Sequence, residues 1–375
     1  MDPLDFILKN VPVKGDPVST DQGPTTTGGI KETLIACAEE IRWKEKWHRT
    51  GERTLADGRM HGIAAAHAMG RSTLPNFVTT GNATVQIKKD GSVRVFAGIS
   101  DIGQGQATAV KQIAAEALGI DFEKVSVVWG DTVTPHTGDQ VASSSTMMTG
   151  NAVKLAAEEA RGKLIDIAAR LMDADQADLE IKQGMILSTK DADKKISVAQ
   201  AVQSPGVKIA TGNGQWSITD KEASPRSVVV CIAEVAVDME TGKIEVLDMV
   251  QGTDCGKAIS RSRVEGQLDA VLSGGLGYVL MEEPVFDLAE KGRLLNANWY
   301  DYKMPTSKDT ADILSKDVII EHFDDVGPFG ARGMGEATLS ACAPALVNAV
   351  YNATGIRFKS TPLTPDRVLN AIQCK

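Results

Sequence analysis

A single carboxylate closes a glycine-rich run, Gly330-Ala331-Arg332-Gly333-Met334-Gly335-Glu336, and a carboxylate presented on such a loop can serve as a general base. Three glycines in six residues allow positive φ angles and a close approach of backbone to a bulky ligand. Leu339, Cys342, Ala343, Leu346, Val347 and Val350 follow at helical spacing, which predicts a helix packed on one face with Glu336 in or next to its first turn. The competing reading is a first-turn glutamate favoured only by the helix dipole.

Three more elements carry chemistry of a related kind. Gly103, Gln104 and Gly105 sit between an apparent hairpin, Ala83 to Phe96 with Asp90-Gly91 as its turn, and a helical pattern through Val110, Ile113, Ala114, Ala117 and Leu118. Such a junction offers backbone N–H groups to an anion. The spacing is not G-x-G-x-x-G, and an antiparallel hairpin ahead of it disfavours the usual dinucleotide fold. Ala142, Ser143, Ser144, Ser145 and Thr146 precede a helix expected over Val153 to Met172. Their hydroxyls read as caps and anion donors, or as an over-capped helix start and nothing more. Asp254-Cys255-Gly256-Lys257 follows a second hairpin, Val228 to Val237 and Lys243 to Val250, and leads into Val264-Glu265-Gly266-Gln267. The order hairpin, Asp-x-Gly, helix therefore occurs twice, which reads as an internal duplication whose loop ends face a common site.

The elements that must position these residues suggest an α+β fold of two lobes, with antiparallel hairpins followed by helices. Residues 1–61 read as an arm and a helix: Asp16 to Gly29 is polar and rich in Pro, Gly and Thr and is expected to run extended over a partner or the other lobe, and Lys31 to Trp47 is amphipathic. The first lobe is expected over 62–211 and the second, with the glutamate loop, over 212–375. Asp173 to Thr189 reads as a charged, solvated stretch. A formal net charge of −9 argues against nucleic acid or an anionic membrane as partner. No apolar run approaches the roughly 20 residues that span a bilayer, and no basic-then-apolar leader opens the chain, so a cytoplasmic location is expected. Cys37, Cys231, Cys255, Cys342 and Cys374 form no C-x-x-C, so neither a zinc ribbon nor an iron–sulfur cluster is expected on this chain. Cys255 reads as a small buried thiol. The five histidines have no ligand spacing, and His136 reads as a hydrogen-bonding loop residue.

Taken in order, these segments resemble the molybdenum hydroxylases, the family of xanthine dehydrogenase and aldehyde oxidoreductase, over the C-terminal half of their molybdopterin-binding large subunit. Met1 to Asn10 resembles the family's D-P-x-x-x-R-x-x-N segment, departing near Leu8; Asp238 to Lys243 its D-x-x-T-G-K turn; Asp301 to Thr306 its D-Y-x-x-P-T run; and Pro362 to Val368 its P-L-T-P-x-R-V ending. A typical large subunit of the family is longer and begins further upstream, so the chain is expected to be either a naturally split subunit, resembling the split medium molybdopterin subunit of nicotinate dehydrogenase, or a truncated piece, and Met1 followed directly by a family motif favours the natural split. The resemblance implies that Gly103, Gln104 and Gly105 touch the pterin and phosphates of the cofactor, and that Ala142, Ser143 and Ser145 form a second cofactor loop. It further implies that Gln267, Gly333 and Gly335 bind the cofactor and that Glu336 is the base. The implied cofactor is molybdenum–molybdopterin in its cytosine dinucleotide form, whose dithiolene holds the metal without a protein ligand. Gly274-Gly275-Leu276-Gly277 stands where Q-G-L-G is usual, and Ser260-Arg261 where N-P is usual. The implied partners are a subunit carrying the other half of the molybdenum site, an iron–sulfur subunit and an FAD subunit. The implied reaction is oxidative hydroxylation of an electron-poor carbon in an N-heteroaromatic, nicotinate- or purine-like, or aldehyde substrate. Reductive dehydroxylation of an aromatic thioester, or a non-catalytic half that completes a partner's pocket, are the alternatives.

Overall fold

Two four-stranded sheets carry the molecule. In the computed structural model, residues 1–375 are described except for 18–22, 74–79, 208–209, 219–222, 290 and 375. The strands of the two sheets are β1 (Met60–Arg71), β2 (Gly81–Ile87), β3 (Val93–Ala97), β4 (Val125–Val128), β5 (Ala210–Trp216), β6 (Arg226–Val237), β7 (Ile244–Asp254) and β8 (Leu314–Ile320). The helices that matter for the site are α1 (Ile30–Glu40), α2 (Gln106–Leu118), α3 (Ser145–Met172), α4 (Arg261–Leu276) and α5 (Thr338–Thr354).

One sheet has the order β4-β3-β2-β5 and the other β8-β7-β6-β1. In each, a central antiparallel pair (β2/β3, β6/β7) is followed by a helix (α2, α4) and a parallel return strand (β4, β8). A second helix lies across each sheet, α3 on β5 and β2, α5 on β1 and β6. The duplication read from the sequence is thus a repeat of topology. It also places a βαβ crossover in each half, where only antiparallel hairpins were anticipated.

Strand alternation explains which face each lobe buries. β2 alternates between buried and half-buried positions, as expected for one covered face. β6 is buried at every position, because Val229, Cys231, Ala233 and Val235 join the core with α5 and Val228, Val230 and Ile232 join the core with α1. Glycines bring the overlying helices unusually close. A Cβ at Gly212 or Gly214 of β5 would collide with the Ala156 or Ala152 carbonyl of α3, and one at Gly62 of β1 with the Ala349 carbonyl of α5.

Several local expectations are revised. β1 pairs with β6 and β5 with β2, so the divisions drawn at 61/62 and 211/212 fall inside strands, and β1 completes the second sheet. Sheet membership is a long-range property that local pattern does not carry. The opening residues contain a helix, Pro3–Asn10, capped by the Asp2 carboxylate. The helix expected over Lys31 to Trp47 breaks at Arg42, whose φ is +60°. Asp173 to Thr189 is not simply solvated: residues 179–182 and 185–188 pair in a small sheet, and Leu179, Ile181 and Ile186 join the core of the first lobe. Among the described residues no helix is long and apolar enough to cross a membrane.

Asp317 on β8 is half-buried beside α4, and burial, with the Asp269 and Glu265 charges, pushes its carboxyl up to about 6. A folded-state value above the unfolded one means that ionised Asp317 opposes folding at neutral pH, and that this penalty disappears as pH falls below the unfolded value near 4. Asp317→Asn is therefore expected to stabilise the chain by about 1 kcal/mol at pH 7.5, after discounting for solvent screening. Urea midpoints at pH 7.5 and pH 4 check this, the gain being absent at the lower pH.

Candidate active site

The loops ahead of α2, α3, α4 and α5 converge on one cavity of about 470 Å³. Gln104, Gly105, Ser143, Ser145, Gln267, Gly333, Gly335 and Glu336 all line it. Gly103 and Ala142 do not line it but shape its loops, with φ of +112° and +54°. Repeated topology is what brings these loops together: the helix entrances of both halves open toward the same space.

The Gly103 turn is built differently from the expected anion cradle. Asp101 fills it, accepting from the N–H groups of Gly103 and Gly105 at 3.2 Å and of Ala107 at 3.0 Å. Burial alone would raise the Asp101 carboxyl, but these donors, with Arg263 nearby, hold it below the ordinary range. Gln104 is likewise engaged with its own loop, accepting from the Ile102 N–H at 2.7 Å and donating to the Ser100 carbonyl at 2.9 Å. Gln106, which the sequence reading passed over, is buried at 6 % exposure, lines the cavity, and has an amide nitrogen with no hydrogen-bond partner. Gln140 also lines the cavity and holds a second buried amide nitrogen with no hydrogen-bond partner. The signal for Gln106 was its place at the end of the Gly103-Gln104-Gly105-Gln106 run.

The hydroxyl cluster also departs from expectation. α3 begins at Ser145, and Ser144 at its N-cap makes no side-chain capping bond. Instead the Ser143 hydroxyl accepts from the Glu336 N–H at 2.9 Å, which ties the first lobe to the glutamate loop. In that loop Gly330 has a left-handed φ of +84°, whereas Gly333 and Gly335 are needed for close approach. A Cβ at Gly333 would run into the Ser143 carbonyl, and one at Gly335 would lie 3.3 Å from the Gln267 side-chain oxygen. Glu336 itself is exposed at the rim of the cavity, two residues before α5 begins.

Behind the rim lies a charge cluster that sequence inspection did not anticipate. Arg332, with a fully buried side chain, bridges Asp254 at 2.6 Å and Asp324 at 3.1 Å, both also fully buried. Its own N–H donates to the Cys255 carbonyl at 2.7 Å, lacing the loop before α4 to the loop before α5. Cys255 is buried, and burial pushes its thiol up to about 12, which suits a packing role and not that of a nucleophile. His136 engages the Asn82 side chain through its backbone carbonyl.

These donors test what the cavity could hold. Unpartnered buried amide nitrogens cost free energy unless a ligand accepts from them, so the lining suits an acceptor-rich organic group. Among the described residues no cluster of three or more His, Cys, Asp or Glu could hold a metal ion directly. A metal carried by its own organic ligand fits both observations.

Residues 36–311 match the profile of the molybdopterin cofactor-binding domain. The chain is similar to a probable hypoxanthine oxidase of Escherichia coli K12, 28% identical over 92% of this chain and 35% of that protein. It is similar also to the gamma subunit of the 6-hydroxypseudooxynicotine dehydrogenase complex of Paenarthrobacter nicotinovorans, 28% identical over 92% of this chain and 44% of that one. In fold it resembles quinoline 2-oxidoreductase from Pseudomonas putida 86, with a TM-score of 0.83 and 24% identity over 100% of this chain and 50% of that chain. The chain thus spans between about a third and a half of the length of these proteins.

Proposed function

The chain belongs to the molybdopterin cofactor-binding domain family of the molybdenum hydroxylases, and from that membership we propose that it supplies one half of the catalytic centre of such an enzyme, with Glu336 as base. The observation that carries the reading is that Glu336 lines one cavity with Gln106 and Gln140, each of which holds a buried amide nitrogen without a hydrogen-bond partner. The proposed reaction adds a water-derived oxygen to an electron-poor carbon of an N-heteroaromatic or aldehyde substrate, releasing two protons and two electrons. Relatives named for hypoxanthine and 6-hydroxypseudooxynicotine support the heteroaromatic class.

When bound, the molybdenum cofactor, proposed in its cytosine dinucleotide form, supplies water activation and a two-electron sink. The chain's own residues do the rest. Gln106, Gln140 and Ser145 would hold the cofactor through their side-chain N–H and O–H groups. Ser143 holds the Glu336 backbone. The Glu336 carboxylate takes a proton as the carbon–oxygen bond forms. Iron–sulfur and FAD groups on partner subunits would supply the route by which the two electrons leave. A partner completing the site is supported by large apolar side chains left in solvent, with Ile102 at 89%, Trp299 at 84% and Tyr300 at 85% exposure, a pattern typical of interaction surfaces.

Co-expression with the complementary half is the test. The complex is expected to carry molybdenum and pterin and to hydroxylate an N-heteroaromatic, while the chain alone is cofactor-free and aggregation-prone by light scattering. A well-behaved monomer that retains molybdopterin and hydroxylates substrate unaided overturns the half-site reading. Within the complex, Gln106→Leu is expected to lower molybdenum per folded protein several-fold, the scale of one lost hydrogen bond of about 1 kcal/mol or more. Elemental analysis beside circular dichroism measures this, and unchanged occupancy would count against Gln106 as a cofactor donor.

A further inference from the structure

Pro24 to Gly29, the end of the arm read over Asp16 to Gly29, is built into the wall behind the cavity. Thr25 and Thr27 are buried at 1% and 2% exposure, and the Ser224 N–H donates to the Pro24 carbonyl at 2.9 Å. The Thr27 hydroxyl donates to Asp254 at 2.6 Å and the Thr26 hydroxyl to Asp324 at 2.5 Å. Gly29 is packed so tightly that a Cβ there would strike the Asp254 carboxylate.

Those two carboxylates hold Arg332. One guanidinium between two fully buried carboxylates leaves an excess negative charge away from water, and such a cluster keeps a single geometry only when its remaining lone pairs are satisfied. On Asp254 they are met by Thr27, by the Gly256 and His322 N–H groups at 3.0 and 3.2 Å, and by the His322 ring at 3.3 Å. On Asp324 they are met by Thr26 and by the Val326 N–H at 2.9 Å. The threonine hydroxyls are the contributions that come from a distant part of the chain.

We propose that Thr26 and Thr27 are positioning residues, which clamp Asp324 and Asp254 so that Arg332 holds the Gly333–Glu336 loop in one place. The functional half of this inference rests on the reading of Glu336 as base; the clamp itself does not.

The test uses the co-expressed complex with Thr26→Val and Thr27→Val together, a near-isosteric removal of both hydroxyls. Hydrogen exchange at amides of residues 255–258 and 331–336 is expected to accelerate about tenfold while the β6 amides hold. At equal molybdenum content kcat is expected to fall with little change in KM, and Thr26→Ser with Thr27→Ser to restore both readouts. Unchanged exchange in those loops overturns the clamp. Faster exchange with unchanged kcat upholds the clamp and overturns its bearing on turnover, the role of Glu336 as base being read separately from Glu336→Gln. If β6 also exchanges faster, the single variants Thr26→Val and Thr27→Val are read by the same criteria.

Discussion

Glu336→Gln is expected to lower turnover by at least about two orders of magnitude while cofactor content and assembly stay as they are, the usual scale for loss of a general base. Glutamine keeps the size of the side chain and removes its ability to take a proton. The loop itself is held through the Glu336 backbone, by the Ser143 hydroxyl at 2.9 Å, and through Arg332, so the substitution leaves its anchors in place. The Glu336 side chain is exposed in this chain, and the contact that anchors the loop is made by its backbone, which separates a chemical role of the carboxylate from a structural one. Single-turnover kinetics on molybdenum-replete enzyme measure the effect. Near wild-type rates at full occupancy would remove Glu336 from the reaction.

Arg332→Met is expected to cost about 3–5 kcal/mol of stability, because it strands two carboxylates that stand away from water. Methionine fills part of the same volume, so the loss comes from uncompensated charge more than from a cavity. Adding Asp254→Asn and Asp324→Asn is expected to recover most of the loss, since neutral amides no longer need the guanidinium. Urea unfolding of the single and triple variants tests this, and a triple variant as unstable as the single one would show that packing and not charge sets the cost.

The chemistry-bearing loops were legible because glycine and hydroxyl residues cluster at strand-to-helix junctions, and the twofold order of hairpin, Asp-x-Gly and helix corresponds to a real repeat of sheet topology. Which side chain within a loop faces the cavity was not legible. Gln104 and Gln106 have the same chemistry two positions apart, and only the path of the loop decides that the first folds back on Ser100 and Ile102 while the second keeps a buried amide nitrogen without a partner. Asp101 as the occupant of its own nest of N–H groups depends on the same path. The union of Thr26, Thr27, Asp254, Asp324 and Arg332 draws on three distant segments, and no local periodicity announces contacts of that range. The pairing of β1 escaped for the same reason, its partner residues on β6 lying 155 (Arg71 to Arg226) to 177 (Met60 to Val237) positions further along the chain.

The glycines under α3 and α5 act as a keyway. Because helix carbonyls rest against Gly212 and Gly214 in one half and Gly62 in the other, each helix meets its sheet at those points backbone against backbone, with no side chain between to absorb a shift, and a rigid rod transmits at one end whatever is imposed along its length. The loaded ends of those rods are Ser143 and Ser145 before and at the start of α3, and Glu336 before α5. A methyl group added at Gly62, far from the cavity, therefore has a route to it: the rod moves as a body, and its tip moves with it. Such a variant is expected to show itself first as lost alignment at the tip, with the sheet beneath still formed, so that the distance between a lesion and the cavity is a poor guide to its effect.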